Sequence, residues 1–88
     1  MLFQLGAIVA TPGALRHCTI SGVDPMSLIF RHGAGDWGDL DSEDVAANVA
    51  AIQHDLRVFS SYVVGHGKVW CITEADRSST CLLLPEEY

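Results

Sequence analysis

Basic side chains are scarce in this chain: five Lys and Arg stand against eleven Asp and Glu, a formal net charge of −6. Too few cations are present to neutralise a run of phosphates, which argues against a sequence-independent nucleic-acid binder, and no direct nucleic-acid contact is expected. Cysteine is also sparse. Cys18, Cys71 and Cys81 are odd in number and show no CxxC spacing, so neither a disulfide framework nor a zinc ribbon is signalled. Buried thiols are the default, with a zinc site drawn from His17, Cys18 and a strand cysteine as the alternative. No apolar run approaches the roughly 20 residues of a membrane span, so no membrane partner is expected. The opening MLFQLGAIVA has no basic n-region and meets Pro12-Gly13 at once, so it reads as a strand and not as a signal peptide. A cytoplasmic location follows as the expectation.

Catalytic and cofactor signatures are missing as well. There is no GxGxxG and no GxxxxGK[ST], so nucleotide binding has no warrant and no cofactor is expected. Neither a GxSxG turn nor an SxxK pair surrounds Ser60, Ser61, Ser78 or Ser79, which speaks against serine hydrolase chemistry. No internal repeat, linker or low-complexity segment interrupts the chain.

What is present is a compact apolar composition. Of the 88 residues 49% are hydrophobic and only 18% charged, a balance that excludes disorder. Folding to a surface of about 5,000 Å² hides roughly 63% of what the extended chain exposes, enough for one thin core and one domain spanning residues 1–88.

Punctuation along the chain divides it into seven elements. Phe3 to Val9 is rich in apolar and β-branched residues and predicts a strand. Thr11 and Pro12 then suit the cap and first position of a helix whose face is Leu15, Cys18 and Thr19, stopped by Gly22. Asp24-Pro25 starts a second helix with Met26, Ile29 and Phe30 as its stripe, broken at Gly33 and Gly35. Gly35 to Leu40 is a turn-forming loop that pins Trp37 against the body. Asp41 or Ser42 caps a third helix, in which Val45, Val49, Ile52 and Leu56 form an apolar stripe and Asn48 turns its amide inward. Beyond Arg57 the period becomes two: Val58–Val64, a connection at Gly65 to Lys68, Val69–Thr73, a polar turn at Glu74 to Ser79, and Thr80–Leu84. Trp70 alternates with Ile72 in the middle of this meander, which places it in or beside the core. The reading is an α+β fold, order β-α-α-α-β-β-β, with a mostly antiparallel four-stranded sheet and helices packed on one face.

The densest polar constellation is His32, Asp36, Asp39, Asn48, Glu74, Asp76 and Arg77, drawn from three separated segments. If the loop after the second helix meets the last turn, an imidazole and several carboxylates converge, as a divalent metal or an acid/base pair requires. The simpler reading is a tie in which Arg77 forms a bidentate pair with Asp36, Asp39 or Asp76. His32 follows Arg31 at a helix C-terminus, where a protonated ring complements the dipole. His17, His54 and His66 read as solvent-facing, and Trp37 is either core or an anchor for a partner protein.

Three strings, VATPGAL at Val9–Leu15, RHxxGDWGDL at Arg31–Leu40 and WxITEADRSxT at Trp70–Thr80, resemble small plasmid-related proteins carried on bacterial plasmids and integrative mobile elements. The likeness spans nearly the whole chain and departs from the family pattern at Cys71 and Cys81, where aliphatic residues or Thr are usual. It implies a mobile-element accessory protein of a bacterial cell and carries no known activity.

Two classes of function are consistent with these residues. One is a non-enzymatic interaction module that binds a host or element-encoded protein, host defence machinery included, with its acidic surface drawn to a basic groove. The other is a small metal-assisted hydrolase or nuclease using His32, Asp36, Asp39, Glu74 and Asp76, with Arg77 stabilising developing charge. A small-ligand cleft between sheet and helices is a third reading. A homodimer through an exposed sheet edge is also expected, with Leu82-Leu83-Leu84 as the edge. The side chains to interrogate are His32, Asp36, Trp37, Asp39, Asn48, Glu74, Asp76 and Arg77.

Overall fold

The local start signals are all used. In the computed structural model, which covers residues 1–88, Thr11 caps α1 (Pro12–Ile20) by accepting from the Ala14 N–H, and Asp24 caps α2 (Pro25–Gly33) by accepting from Met26. Asp41 does the same for α3 (Ser42–His54) through the Asp44 N–H, and Glu43 and Asp44 complement the dipole of its first turn. The strands are β1 (Ala7–Ala10), β2 (Val58–Val64), β3 (Gly67–Thr73) and β4 (Ser79–Leu83), and Pro85–Glu87 forms a closing 3₁₀ turn. The first strand is shorter than Phe3–Val9, because Gly6 takes φ +65° against the carbonyls of Arg77 and Ser78.

The fold is α+β with the expected element order. Strand order in the sheet is β1-β4-β3-β2, antiparallel at β2/β3 and β3/β4 and parallel at β1/β4, so the sheet is mixed. This arrangement corrects the expectation for Leu82-Leu83-Leu84. Leu82 and Leu83 lie inside the sheet, between β1 and β3, and are buried. The edges are β1 and β2.

Alternation along the strands separates two faces. Tyr62, Val64, Val69, Cys71 and Leu82 point to one side, where they form the core with Ala14 and Cys18 of α1 and Leu28 and Ile29 of α2. Each Val, Leu or Ile side chain among them, fully removed from water, contributes roughly 1.5–3 kcal/mol. Phe59, Trp70, Ile72 and Cys81 point to the other side, where no α-helix lies over them and only the closing 3₁₀ turn touches β3. The accessible surface, 4923 Å², is what a one-core chain of this mass should retain.

Helix α3 departs from its apolar pattern. Its buried residues are Asn48 and Ala51, while Val45, Val49 and Leu56 are exposed. The helix lies along the β2 edge, not over the sheet, so the face that makes contact is the one carrying a hydrogen-bonding amide. Asn48 Nδ2 donates to the Phe59 carbonyl at 2.6 Å, and the Phe59 N–H donates to Asn48 Oδ1 at 3.0 Å. The amide thus stands in for a neighbouring strand. The helices before it also rotate relative to expectation, since Leu15, Met26 and Phe30 are exposed and Ala14, Leu28 and His32 are buried instead.

Candidate functional site

The predicted polar residues do not gather. Each is held by a different local partner. Asp36 takes a bidentate pair from Arg31, Nε at 2.7 Å and Nη2 at 3.3 Å, and this hydrogen bonding holds its carboxyl below the usual range. Its side chain also accepts from the Gly38 N–H, and its carbonyl accepts from the Tyr62 hydroxyl. Asp39 pairs with Lys68 at 2.9 Å and Glu74 with Arg57 at 3.2 Å. Asp76 caps its own turn by accepting from the Ser78 N–H, and hydrogen bonding from the Ser78 side chain and then from that N–H lowers its pKa. No group of three or more His, Cys, Asp or Glu side chains is close enough to hold a metal ion. The zinc alternative fails on the same ground, and all three cysteines are free thiols.

Arg77 is a tie, but not to a carboxylate. Its Nη1 donates to the carbonyls of Leu56, Glu74 and Ala75, and its Nη2 to Ala51. It thereby closes the C-terminal end of α3, whose last carbonyls need donors, against the β3–β4 turn. The guanidinium also lies over the Phe3 ring at 5.6 Å. Trp37 is half-buried and pinned: it stacks on Phe3 at 6.3 Å and meets the edge of His32 at 6.0 Å.

His32 is not an exposed helix cap. It is completely buried, with Nδ1 2.6 Å from Ser60 Oγ and Nε2 2.9 Å from Thr73 Oγ1. Thr73 Oγ1 lies 2.6 Å from Thr80 Oγ1, which donates to the Leu5 carbonyl at 2.7 Å. That last carbonyl can only accept, so it orders every proton upstream. Thr80 gives its proton to Leu5 and therefore accepts from Thr73; Thr73 accepts from His32 Nε2–H; His32 Nδ1 accepts from Ser60. Burial disfavours the charged ring and pushes its pKa down to about 4. The imidazole is a neutral, fully bonded strut joining α2 to three strands, shut off from any substrate.

His17 is likewise not solvent-facing, since its Nε2 donates to the Val64 carbonyl at 2.7 Å. Burial pushes the thiols of Cys18 and Cys71 up, so both sit as inert packing groups.

A different place is open. On the helix-free face of the sheet lies a cavity of about 240 Å³, lined by Arg57, Phe59, Trp70, Ile72 and Tyr88. It is the one cavity of the molecule, and it does not lie between sheet and helices. Phe59 and Trp70 meet edge to face at 5.0 Å, and Trp70 and Tyr88 at 5.7 Å, so three rings form its walls. Arg57 crosses the rim, donating to the Tyr88 hydroxyl at 2.7 Å and to Glu74. Of these five residues only Trp70 stands out in the sequence by itself. The available signal was parity: Phe59, Trp70 and Ile72 alternate with core positions and carry large apolar side chains where solvent-facing polar ones are usual.

Comparison of the chain with protein-family profiles, with curated proteins and with solved structures gives no match.

Proposed function

We propose that this chain is a non-enzymatic interaction module, the mobile-element accessory protein its sequence resemblance implies, and that it binds a partner protein through the Phe59–Trp70–Tyr88 groove. The observation that carries this reading is a division of labour among the side chains. The His32 imidazole, the Arg77 guanidinium and the Asn48 amide are spent on internal contacts, whereas the one cavity is walled by aromatic rings with Arg57 at its rim and holds no imidazole, thiol or carboxylate. Trp, Tyr and Arg are the residues that dominate binding energy at protein interfaces, above all where they line a pocket. A cavity of about 240 Å³ accepts one large apolar side chain. The partner therefore presents a Leu, Met or aromatic anchor, and Arg57 at the rim offers its remaining N–H groups to a carbonyl or carboxylate beside it. Host defence machinery with a basic groove is one class of partner that the net charge of −6 also suits.

Affinity capture from a bacterial lysate at physiological salt, with wild type and Tyr88→Ala side by side, tests the reading. Tyr88 is exposed, so its truncation leaves the core intact. A defined protein retained by wild type and lost by Tyr88→Ala is the expected result. Equal recovery by both, or background alone, overturns it.

A further inference from the structure

The two edges of the sheet are treated differently. On β2 most of the outward backbone groups are covered, and only Val63, next to the hairpin turn, is left open: Asn48 takes both groups of Phe59, while the Ser61 N–H donates to the Trp37 carbonyl at 3.0 Å and the Ser61 carbonyl accepts from the Asp39 N–H at 2.6 Å. On β1 nothing comparable is found. The N–H groups of Ala7 and Thr11 donate into β4, to Ser78 and Leu82, so the backbone of the alternate residues Ile8 and Ala10 points away from the sheet. No loop, cap or side-chain hydrogen bond reaches either residue. Ile8 and Val9 are each 46% exposed.

Open edges are ordinarily blunted by charged side chains, Pro or a bulge. Here the first charged side chain of the chain is Arg16, and Pro12 lies beyond the strand, at the start of α1.

We propose that β1 pairs with β1 of a second copy, antiparallel about Val9, and joins two four-stranded sheets into one continuous sheet. The strand is self-complementary in that register. Ile8 faces Ala10 of the second copy, and Val9 faces its own mate. Each copy brings two outward N–H groups and two outward carbonyls, from Ile8 and Ala10, and all of them pair across the dyad. On one face a large side chain meets a small one, Ile8 against Ala10. On the other, two β-branched valines meet at a non-hydrogen-bonded position, where side chains are closest. The ladder ends cleanly, since Gly6 turns the chain on one side and Pro12, with no N–H to leave unpaired, begins a helix on the other.

The self-complementary register selects a second copy as the occupant, and the β1 seam is where like charge opposes it least. Two molecules of net charge −6 repel one another, and pairing along β1 brings together a stretch of fifteen residues with no charged side chain. The dyad is normal to the sheet, so both aromatic grooves open on the same face, on the order of 30 Å apart at six strand spacings. The pairing itself does not depend on what the grooves bind.

Sedimentation velocity of the full chain, from micromolar to submillimolar concentration, reads the outcome. The expected species has about twice the 9.5 kDa chain mass. Val9→Lys sets two cations against each other at the dyad and returns the chain to a monomer with an unchanged circular dichroism spectrum, while Val9→Thr keeps the dimer. Should Val9→Lys fail to fold, amide exchange of the wild type takes its place, with the Ile8 and Ala10 amides expected to become protected as concentration rises. A monomer at every concentration overturns the proposal. So does a dimer that folded Val9→Lys leaves intact, or Ile8 and Ala10 amides that exchange as fast in the dimer as at high dilution.

Discussion

Ser60 donates its hydroxyl proton to His32 Nδ1 across 2.6 Å, and both residues are wholly shielded from solvent. In an open cleft such a contact would suggest an activated nucleophile. Here the far side of the ring settles the matter, because Nε2–H is committed to Thr73, and Thr73 through Thr80 to a backbone carbonyl that can only accept. The ring has neither a free lone pair to take a proton nor a route to pass one on. Its task is mechanical, joining α2 to β2 and β3 and, through Thr73, to β4.

Burial of this neutral ring makes stability depend on pH. The folded-state pKa of about 4 lies below the ordinary value of 6.5, so between those limits the unfolded chain binds the extra proton. The contribution of His32 is therefore complete above about pH 6.5 and is lost as pH falls toward 4, a change of roughly 3 kcal/mol. Urea unfolding followed from neutral pH down to about pH 4.5 should show a steadily falling midpoint, and nitrogen NMR should report the Nε2–H tautomer at neutral pH. A flat midpoint over that window would contradict the assignment.

Asn48 replaces a strand on the β2 edge, so its removal both weakens the fold and opens the edge. Asn48→Ala deletes two hydrogen bonds and leaves the Phe59 N–H and carbonyl unpartnered. A loss of about 2–4 kcal/mol is expected from two part-buried backbone groups. Asn48→Asp keeps an acceptor for the N–H but turns a second oxygen onto the carbonyl, and should recover less than half of that loss. Thermal melts give the stabilities, and light scattering near the transition should show Asn48→Ala aggregating first, as an uncovered edge predicts.

Gly38 and Gly22 separate two costs that are often merged. Both have positive φ, +74° and +70°, but a Cβ on Gly22 meets nothing, whereas one on Gly38 would strike the Ser61 carbonyl and the Tyr62 ring. Gly22→Ala carries only the left-handed backbone penalty, about 1 kcal/mol. Gly38→Ala must also break the bridge that covers Ser61, and should cost at least about 3 kcal/mol. Denaturant unfolding of the two variants checks the difference; equal losses would mean that the loop yields without disturbing β2.

Features governed by neighbouring residues were legible in the sequence. Thr11-Pro12, Asp24-Pro25 and Asp41 start helices because the cap oxygen and the fixed proline φ act within one turn. The hairpin from Val58 to Thr73 follows from alternation and a Gly-containing turn, and element order with helix and strand identity gives the α+β class.

The polar cluster could not be read in the same way, because a side chain's role depends on what lies across from it. Ser60, Thr73 and Thr80 are a polar residue at a core position in three successive strands, a pattern visible in the sequence but meaningful only once β4 lies beside β3 and His32 above them. Arg77 had carboxylates nearby in sequence, yet found the carbonyls left unpaired at the end of α3. The apolar stripe of α3 was a true helical signal that misjudged which face would be buried, since the helix lies along a strand edge, where hydrogen bonding outweighs apolar area. Sequence alone determined the elements, whose forces act over a few residues. Tertiary structure decided the parallel placement of β1, which makes Leu82 and Leu83 central, and the roles of His32, Asn48 and Arg77, because burial and hydrogen-bond partnership are set by residues remote in the chain.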